Sequence, residues 1–423
     1  METYAGILLI ASPLFFLFVL AERIYGYFAK GDSFKSMDVI SSLSSGYTNT
    51  LKDVLGIGIS LLSYNWMLEH WAFIKIEYTW LNVLIAFMAL DLAGYIGHRI
   101  NHSVNFFWNQ HLIHHSSEEF NLACALRQSI SSLVGFFTIF LLPAALLGVD
   151  FKIIAIVAPL HLFAQFWYHT EYIGKLGFLE KIIVTPSHHR VHHAINPVYL
   201  DKNMGQIFIF WDFMFGTFQE ELDDVPPVYG ITRQVNSWNP IKINFQHFWL
   251  MVKDAVRADS WWDAIRIWFM PTGWRPADVE AKYPEPKIED PYNFEKYYPD
   301  VSMGVLTWSW IQFFTTFGFL MYFFMALGRM DVGEMAVYGL FMFFSVYCYT
   351  EFMGKNPLAI WQELAKNGLG LYLFVKHDGW FGLESINAGL NYVVMAYFIV
   401  ATLVTGYFVL TEFREKPDAV PLK

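Results

Sequence analysis

Long apolar runs, separated by short polar segments, dominate the pattern along this chain. A helix needs about 20 mostly apolar residues to cross a bilayer, and several runs approach that length. The first lacks the basic start and small-residue cleavage site of a signal peptide, so we expect a retained anchor. The pattern predicts an all-α, polytopic integral membrane helical bundle. The predicted spans are residues 6–20, 54–67, 80–97, 133–147, 153–167, 305–327, 335–349 and 390–410, with 358–373 as a weaker, interfacial candidate.

Changes in this pattern divide the chain into four parts. We expect N-terminal membrane helices in residues 1–77, a histidine-rich core in 78–222, a water-facing and interfacial segment in 223–302, and C-terminal membrane helices in 303–423. The third part is rich in proline and charge. Within it, Trp261, Trp262, Ile265, Trp268 and Phe269 recur at helical spacing, which suits either a helix in the membrane interface or an ordinary packing face.

Composition supports a membrane protein and excludes several classes. Of the 423 residues, 55% are hydrophobic and only 16% are charged, whereas soluble domains carry about 25% charged residues. This apolar content excludes disorder. The net charge of -10 gives no reason to expect a nucleic-acid partner. Two cysteines are too few for a disulfide framework or a cysteine-based zinc site.

Histidine carries the candidate chemistry, because 11 of the 14 histidines fall between residues 98 and 193. On a helix, residues three or four apart share a face, so each short cluster can direct its imidazoles at one ion. Three such clusters suit Fe, Zn, Cu or Ni, and eight or more ligands fit two ions better than one. The clusters are His98-x3-His102, His111-x2-His114-His115 and His189-x2-His192-His193, with His161 and His169 as a looser pair.

Topology places the three clusters on one side of the membrane. Two apolar runs, 133–147 and 153–167, separate the second cluster from the third, and two crossings or two partial insertions return the chain to the side it left. Basic residues flank these segments, so the positive-inside rule predicts the cytoplasmic face. These residues are Arg99, Arg127, Lys175, Lys181, Arg190 and Lys202.

Together these clusters resemble the histidine boxes of the fatty acid hydroxylase and sterol desaturase superfamily. The longer motifs resemble those of its alkylglycerol monooxygenase branch, including the bacterial members. They are His114-His-Ser-Ser-Glu-Glu-Phe-Asn121, Ala125-Leu-Arg-Gln-Ser129, Gln165-Phe-Trp-Tyr-His-Thr-Glu171, Thr185-Pro-Ser-His-His-Arg-Val-His-His193 and Asp201-Lys-Asn203 followed by Trp211-Asp212. The resemblance covers roughly residues 40–235. Ser103 departs from the pattern, because the animal members carry Glu there.

The resemblance implies a non-haem di-iron monooxygenase that uses O2 to hydroxylate the carbon next to an ether oxygen, so that an alkylglycerol yields an aldehyde and a glycerol lipid. It implies two Fe ions, a lipid substrate taken from the bilayer, and an external reductant, either tetrahydrobiopterin or an electron-transfer protein. The implied iron ligands are His98, His102, His111, His114, His115, His169, His189, His192 and His193, with His161 and His188 as additional candidates.

Other polar residues of these motifs are candidates for supporting roles. Glu118, Glu119, Glu171, Asp201 and Asp212 could orient imidazole N–H groups or could be capping or solvated charges. Arg127, Asn121 and Arg190 are candidates for contact with the substrate or a lipid headgroup. Isolated His70, His247 and His377 are expected to be structural.

Two alternative functions remain open from the sequence. A sterol or fatty-acyl hydroxylase or desaturase could use the same metal site. A metal transporter or zinc-binding membrane protein is the alternative outside the oxygenases, although transporters place polar ligands near the midplane of several helices, whereas these clusters follow the ends of apolar runs. Oligomeric state is not predicted.

Overall fold

The computed structural model describes residues 2–30, 35–76 and 79–413, and in this part of the chain the regular structure is almost entirely helical. This agrees with the predicted all-α class. The two strands, β1 (Ile59–Ser60) and β2 (Val134–Gly135), form a single short parallel pair. The α-helices are α1 (Glu2–Lys30), α2 (Ser36–Val54), α3 (Tyr64–Trp71), α4 (Thr79–Ser103), α5 (Asn105–Trp108), α6 (Leu112–His115), α7 (Leu142–Leu146), α8 (Phe151–Phe163), α9 (Pro186–His192), α10 (Phe210–Phe215), α11 (Pro240–Arg257), α12 (Trp261–Arg266), α13 (Ala277–Lys282), α14 (Met303–Ala326), α15 (Val332–Met353), α16 (Ala359–Lys376) and α17 (Gly389–Thr411). Short 3-10 helices lie at Cys124–Leu126, Phe137–Leu141, Gly177–Lys181, Leu327–Arg329 and Leu383–Ser385.

Five helices in the described part of the chain are long and apolar enough to cross a membrane. They lie at Ala5–Ala29, Thr79–Ser103, Met303–Arg329, Val332–Met353 and Gly389–Thr411. Each contains a predicted apolar run, so five of the eight predicted spans coincide with such a helix. The weaker candidate at 358–373 lies in α16, which buries Glu363, Lys366 and Asn367 and is not one of the five.

The span predicted at residues 54–67 is wrong. Helix α2 ends at Val54, and Gly56 follows in the left-handed conformation with φ of 64°. Its N–H donates to the Asp53 carbonyl, and the Ile57 N–H donates to the Lys52 carbonyl. This pattern is a Schellman motif, which stops a helix by satisfying its last carbonyl groups. The chain then enters β1, and Ser63 caps the short helix α3 through its hydroxyl oxygen.

The two runs between the second and third histidine clusters also do not form full spans. The first contains β2, a 3-10 helix and the five-residue α7, which begins around Pro143. The second forms α8, whose 13 residues would extend only about 20 Å, short of the roughly 30 Å of a hydrocarbon core. Gly148, with φ of 71°, and the Asp150 N-cap separate the two. Of the two topologies that the sequence left open, the short length of these helices favours partial insertion.

The C-terminal helices form the largest apolar core and hold the second helix in place. Helices α14, α15, α16 and α17 pack in sequence, and α14 also packs against α1 and α2. Helix α2 in turn contacts α11 and the 3-10 helix that follows the second histidine cluster. The histidine-rich region is therefore enclosed by elements from both ends of the chain.

The aromatic residues around α12 are exposed. Trp261 is 74% exposed and Phe269 is 73% exposed, while Trp268 packs against Phe248. An ordinary packing face would be covered by other parts of the chain. Exposure of this kind favours the interfacial alternative for this segment.

Candidate metal centre

Four elements bring the histidines together. His98 and His102 lie one turn apart near the end of α4. His111 precedes α6, which carries His114 and His115. Helix α9 carries His189 and His192, and His193 is its C-cap residue. His169 lies in the segment after α8. All of these elements meet where α4 ends, so residues far apart in sequence share one buried site.

Nine imidazoles form two adjacent groups, each of which could hold a metal ion. Within each group, one nitrogen from every ring lies within 4.8 Å of the corresponding nitrogens of the others. The first group is His98, His102, His111, His115 and His192; the second is His114, His169, His189 and His193. The second and third sequence clusters are both divided between the groups. Neighbouring residues therefore point towards different sites.

The ring orientations leave lone pairs facing one another. His114 Nδ1 lies 3.2 Å from the Arg127 carbonyl oxygen, and His169 Nδ1 lies 3.1 Å from that of Gln165. A carbonyl oxygen only accepts, so in each neutral ring Nδ1 carries the proton and Nε2 carries the lone pair. These two Nε2 atoms lie 3.4 Å apart, and neither can donate to the other. A cation between them would satisfy both.

Other rings repeat this arrangement. His192 Nδ1 lies 2.9 Å from the Lys202 carbonyl oxygen, and its buried Nε2 has no hydrogen-bond partner in the described structure. Nε2 pairs in the two groups are separated by 2.8 Å for His189 and His169, and by 3.2 Å for His102 and His115. Two nitrogens about 2.1 Å from one ion and roughly 90–110° apart would be separated by about 3.0–3.4 Å. The residues therefore fit metal ions bound by imidazole.

Burial keeps the imidazoles outside α4 uncharged, as metal binding requires. Burial, followed by the effect of neighbouring imidazoles, lowers the pKa of His114 to about 3. The same causes hold the pKa of the other rings outside α4 well below the ordinary value of 6.5. These are His111, His115, His169, His189, His192 and His193.

Backbone carbonyl groups, more than carboxylates, orient the rings. Besides the three carbonyls above, that of Met204 lies 2.9 Å from His98 Nδ1. Of the five predicted acidic partners, only Asp201 contacts an imidazole, with 3.1 Å between its Oδ1 and His102 Nδ1. A carbonyl fixes the same tautomer as a carboxylate without adding a charge.

The other four acidic residues have different partners. Glu118 accepts from Gln234 and the Tyr297 N–H, and Glu119 pairs with Lys296. Glu171 hydrogen-bonds Tyr229. Asp212 accepts from the Met204 and Gly205 N–H groups and from Thr217, so it supports the loop whose carbonyl orients His98. The expected direct contacts with imidazole are therefore absent for these four described residues.

His161 and His188 lie outside both groups. His161 Nε2 is 2.9 Å from Asp91 Oδ1, and His188 completes the capping box of α9 with Thr185. Asp91 also accepts from the N–H groups of Ile207 and Phe208 and from the Trp211 indole. Asp91 was not among the predicted site residues, although a single carboxylate inside an apolar run is a signal for a buried, paired charge.

The residues predicted to contact substrate or headgroup have structural partners instead. Arg127 is 1% exposed and its Nη2 donates to Asp38 over 2.6 Å. Arg190 forms a bidentate pair with Glu221 and donates to two carbonyl oxygens. Asn121 accepts from the N–H groups of Ala123 and Cys124. All three are therefore engaged in contacts within the protein in this structure.

A buried network around Arg127 connects α2 to the second histidine cluster. Asp38 also accepts from Ser117, while Arg127 donates to Ser42 and Ser116. Ser116 and Ser117 directly follow His115, and the Arg127 carbonyl faces His114. Sequence reasoning missed Asp38, because nothing near it in the chain indicates its distant partner.

A cavity of about 250 Å³ reaches the metal centre from the 223–302 segment. His102, His115, His192 and His193 line one end, and Trp108, Leu112 and Leu250 are among its apolar walls. Both groups of imidazoles are therefore accessible from one cavity.

Comparison with known proteins assigns this core to a class. Residues 83–217 match the fatty acid hydroxylase family model, so this part of the chain is similar to a fatty acid hydroxylase domain. All nine clustered imidazoles lie within it. With five apolar helices long enough to cross a bilayer, the chain is a multi-pass membrane protein.

Individual relatives give a narrower likeness. The chain is 35% identical over 300 residues to alkylglycerol monooxygenase of Xenopus tropicalis, covering 70% of this chain and 66% of that protein. It is 36% identical over 271 residues to the Homo sapiens alkylglycerol monooxygenase, covering 63% of this chain and 59% of that protein. A lower similarity, 24% over 153 residues, relates it to ornithine lipid hydroxylase OlsE of Rhizobium tropici, covering 36% of this chain and 46% of that protein. The match thus spans less than two thirds of each of these relatives, and no solved structure matches the chain.

Proposed function

We propose that this protein is an O2-dependent, non-haem di-iron monooxygenase that hydroxylates the carbon next to the ether oxygen of alkylglycerol lipids. The observation that carries this proposal is the pair of buried imidazole groups with converging Nε2 lone pairs. It lies in the part of the chain that is similar to a fatty acid hydroxylase domain, and similarity to the alkylglycerol monooxygenases supports the choice of substrate.

The nine clustered histidines would hold two iron ions, five on the first and four on the second. When bound, the ions would supply O2 activation, with two electrons from an external reductant. In the balanced reaction, the ether CH2 group, O2, two electrons and two protons give a hemiacetal and water. The hemiacetal then breaks down into an aldehyde and a free hydroxyl group on glycerol. Tetrahydrobiopterin or an electron-transfer protein would serve as the reductant.

The chain's own residues position the groups and exclude water. Backbone carbonyls of Met204, Arg127, Gln165 and Lys202 hold the Nδ1 protons, so that each Nε2 faces the centre. Apolar side chains around the cavity limit the water that could compete for a reactive species. The substrate would enter from the bilayer, with its chain along the apolar helices and its polar end towards the cavity.

We also propose that the centre faces the cytoplasm, where reductant is available. Arg99, Lys175 and Lys181 support this orientation, because all three are exposed near the ends of the apolar segments on the histidine side. Arg127 does not support this orientation, since its charge is buried in the pair with Asp38.

The test is metal analysis of the purified protein, followed by anaerobic reduction and addition of O2 with a lipid panel. We expect about two irons per chain and O2-dependent aldehyde release from an alkylglycerol. The ester-linked monoacylglycerol of equal chain length is the matched control and should yield no aldehyde. A single zinc without O2 consumption would refute the proposal.

A second candidate, hydroxylation of an acyl chain in an amino-acid lipid, has one observation in its favour, the similarity to ornithine lipid hydroxylase. The same assay separates the two candidates. Acyl hydroxylation would produce a hydroxylated lipid without aldehyde release.

A further inference from the structure

The cavity that reaches the imidazoles changes character along its length. Near the metal centre its walls are imidazole and apolar side chains, together with the Asp201 carboxylate that contacts His102. Away from it, the 223–302 segment contributes charged and polar groups: Arg233, His247, Asp254, Arg275, Glu285 and Lys287. One end of the cavity therefore lies beside the imidazoles, and the other end can contact a polar group of a ligand.

Two of the three cations in this polar part are already paired. Arg275 donates from Nε and Nη2 to the two oxygens of Asp254, over 2.6 and 2.9 Å. Lys287 lies 3.6 Å from Glu280 at an exposed position. A bidentate pair has little remaining capacity for another anion. These two residues are therefore weak candidates for ligand binding.

Arg233 differs from both. Within the described part of the chain, no carboxylate oxygen lies within 4.0 Å of its guanidinium, and Glu285 acts on it only at longer range. Its Nη2 lies 3.4 Å from Nδ1 of His247, which is 5% exposed. Burial, together with the Arg233 charge, lowers the pKa of His247 to about 3, so this imidazole is neutral and can accept from Arg233.

A half-buried guanidinium supported by a neutral imidazole keeps its charge available. Burial removes part of the hydration of Arg233 and thereby lowers its pKa from the ordinary value, and no carboxylate in the described chain lies close enough to replace that hydration. An anion in the cavity would supply that replacement. Arginine donates in a planar fork that matches phosphate oxygens.

We propose that Arg233, held by His247, binds the phosphate group of a phosphorylated glycerol ether lipid in this cavity. This proposal rests on the proposed function, because the ether carbon must reach the imidazole end while the headgroup extends towards the 223–302 segment. It makes Arg233 a determinant of substrate selectivity. Neutral alkylglycerols would bind without this contact and therefore more weakly.

The test is direct binding to the full chain in lipid nanodiscs without O2, so that it does not depend on turnover. The ligands are an alkylglycerol 3-phosphate and the neutral alkylglycerol of equal chain length. We expect wild type to bind the phosphorylated lipid about tenfold or more tightly than the neutral one, as for a hydrogen bond to a charged group. In Arg233→Gln this ratio should fall to near one.

Lys253→Gln is the matched control, because it removes one exposed positive charge from α11 without touching the cavity; its ratio should equal that of wild type. Glycerol 3-phosphate should compete at least tenfold less well than the phosphorylated lipid, since it buries no alkyl chain. Equal competition would overturn a lipid source for the phosphate. An unchanged ratio in Arg233→Gln would overturn the site itself, whereas loss of aldehyde release with the ratio intact would count against the proposed function alone.

Discussion

Replacement of Asp38 by Asn tests whether a remote ion pair supports the metal centre. Asp38 Oδ1 accepts from Arg127 over 2.6 Å, and the side chains are only 4% and 2% exposed. Removing one partner of a buried pair costs about 3–5 kcal/mol, because the other charge stays buried without compensation. Two Ser117 contacts to the same carboxylate would be disturbed as well.

The Asp38→Asn substitution should also weaken metal binding. The Arg127 carbonyl orients His114, so displacement of Arg127 should weaken the group of His114, His169, His189 and His193 more than the other. We expect Asp38→Asn to lower the thermal unfolding midpoint in detergent and to retain about one of two ions, since partners that orient ligands affect metal affinity by about 10–100-fold.

Asp263→Asn provides the comparison. Asp263 pairs with Arg266 over the same 2.6 Å, but the side chains are 19% and 38% exposed, and such surface pairs contribute only about 0–1 kcal/mol. The double variant Asp38→Leu/Arg127→Met should recover part of the stability, because it leaves no unpaired charge. If Asp38→Asn and Asp263→Asn destabilise equally and retain equal metal, the reasoning is refuted.

Three further predictions follow from single positions. His114→Ala should express normally but lose turnover and about one of the two proposed ions. The group of His114, His169, His189 and His193 then lacks a ligand, and the other group lacks an intact neighbouring site. Retained turnover would remove His114 from the site. The pKa of His247 falls to about 3 on folding, so the unfolded chain binds a proton at this residue before the folded chain does. The free energy of unfolding should therefore decrease as the pH falls from 6.5 towards 3. Above pH 6.5, His247 should make no contribution to the pH dependence of the free energy of unfolding. His247→Asn should therefore flatten the pH dependence of unfolding by about 1.4 kcal/mol per pH unit in that window, and identical slopes would contradict the assignment. Gly148→Ala should destabilise strongly, because φ is 71° and the new Cβ would lie 2.1 Å from the Ile74 carbonyl oxygen. Gly56→Ala, with φ of 64° and nothing within 4 Å, should cost only the conformational strain of about 1–2 kcal/mol; equal midpoints for the two variants would refute the clash.

Local pattern was sufficient for the long helices and for most of the clustered histidines. Apolar runs predicted the five helices long enough to cross a membrane, because burial in lipid requires an unbroken apolar surface that is visible in sequence. Histidine spacing predicted eight of the nine imidazoles of the two groups, since residues three or four apart on a helix share a face whatever surrounds them. His169 was expected only from its looser pairing with His161 and from the resemblance. The span predicted at 54–67 was wrong because Gly56 adopts a left-handed conformation that ends the helix, and hydropathy alone carries no information on backbone conformation.

Only the tertiary structure decided how these parts combine. It divided adjacent histidines between two groups, because the direction of each ring depends on a carbonyl group from a distant segment, such as that of Met204 for His98. It also paired Arg127 with Asp38 across 89 positions of sequence and left Arg233 without a carboxylate partner in the described chain. Sequence determines which side chains are available and on which helical face they lie. Which charges are neutralised depends on contacts between distant segments, and those contacts are fixed only when the chain packs.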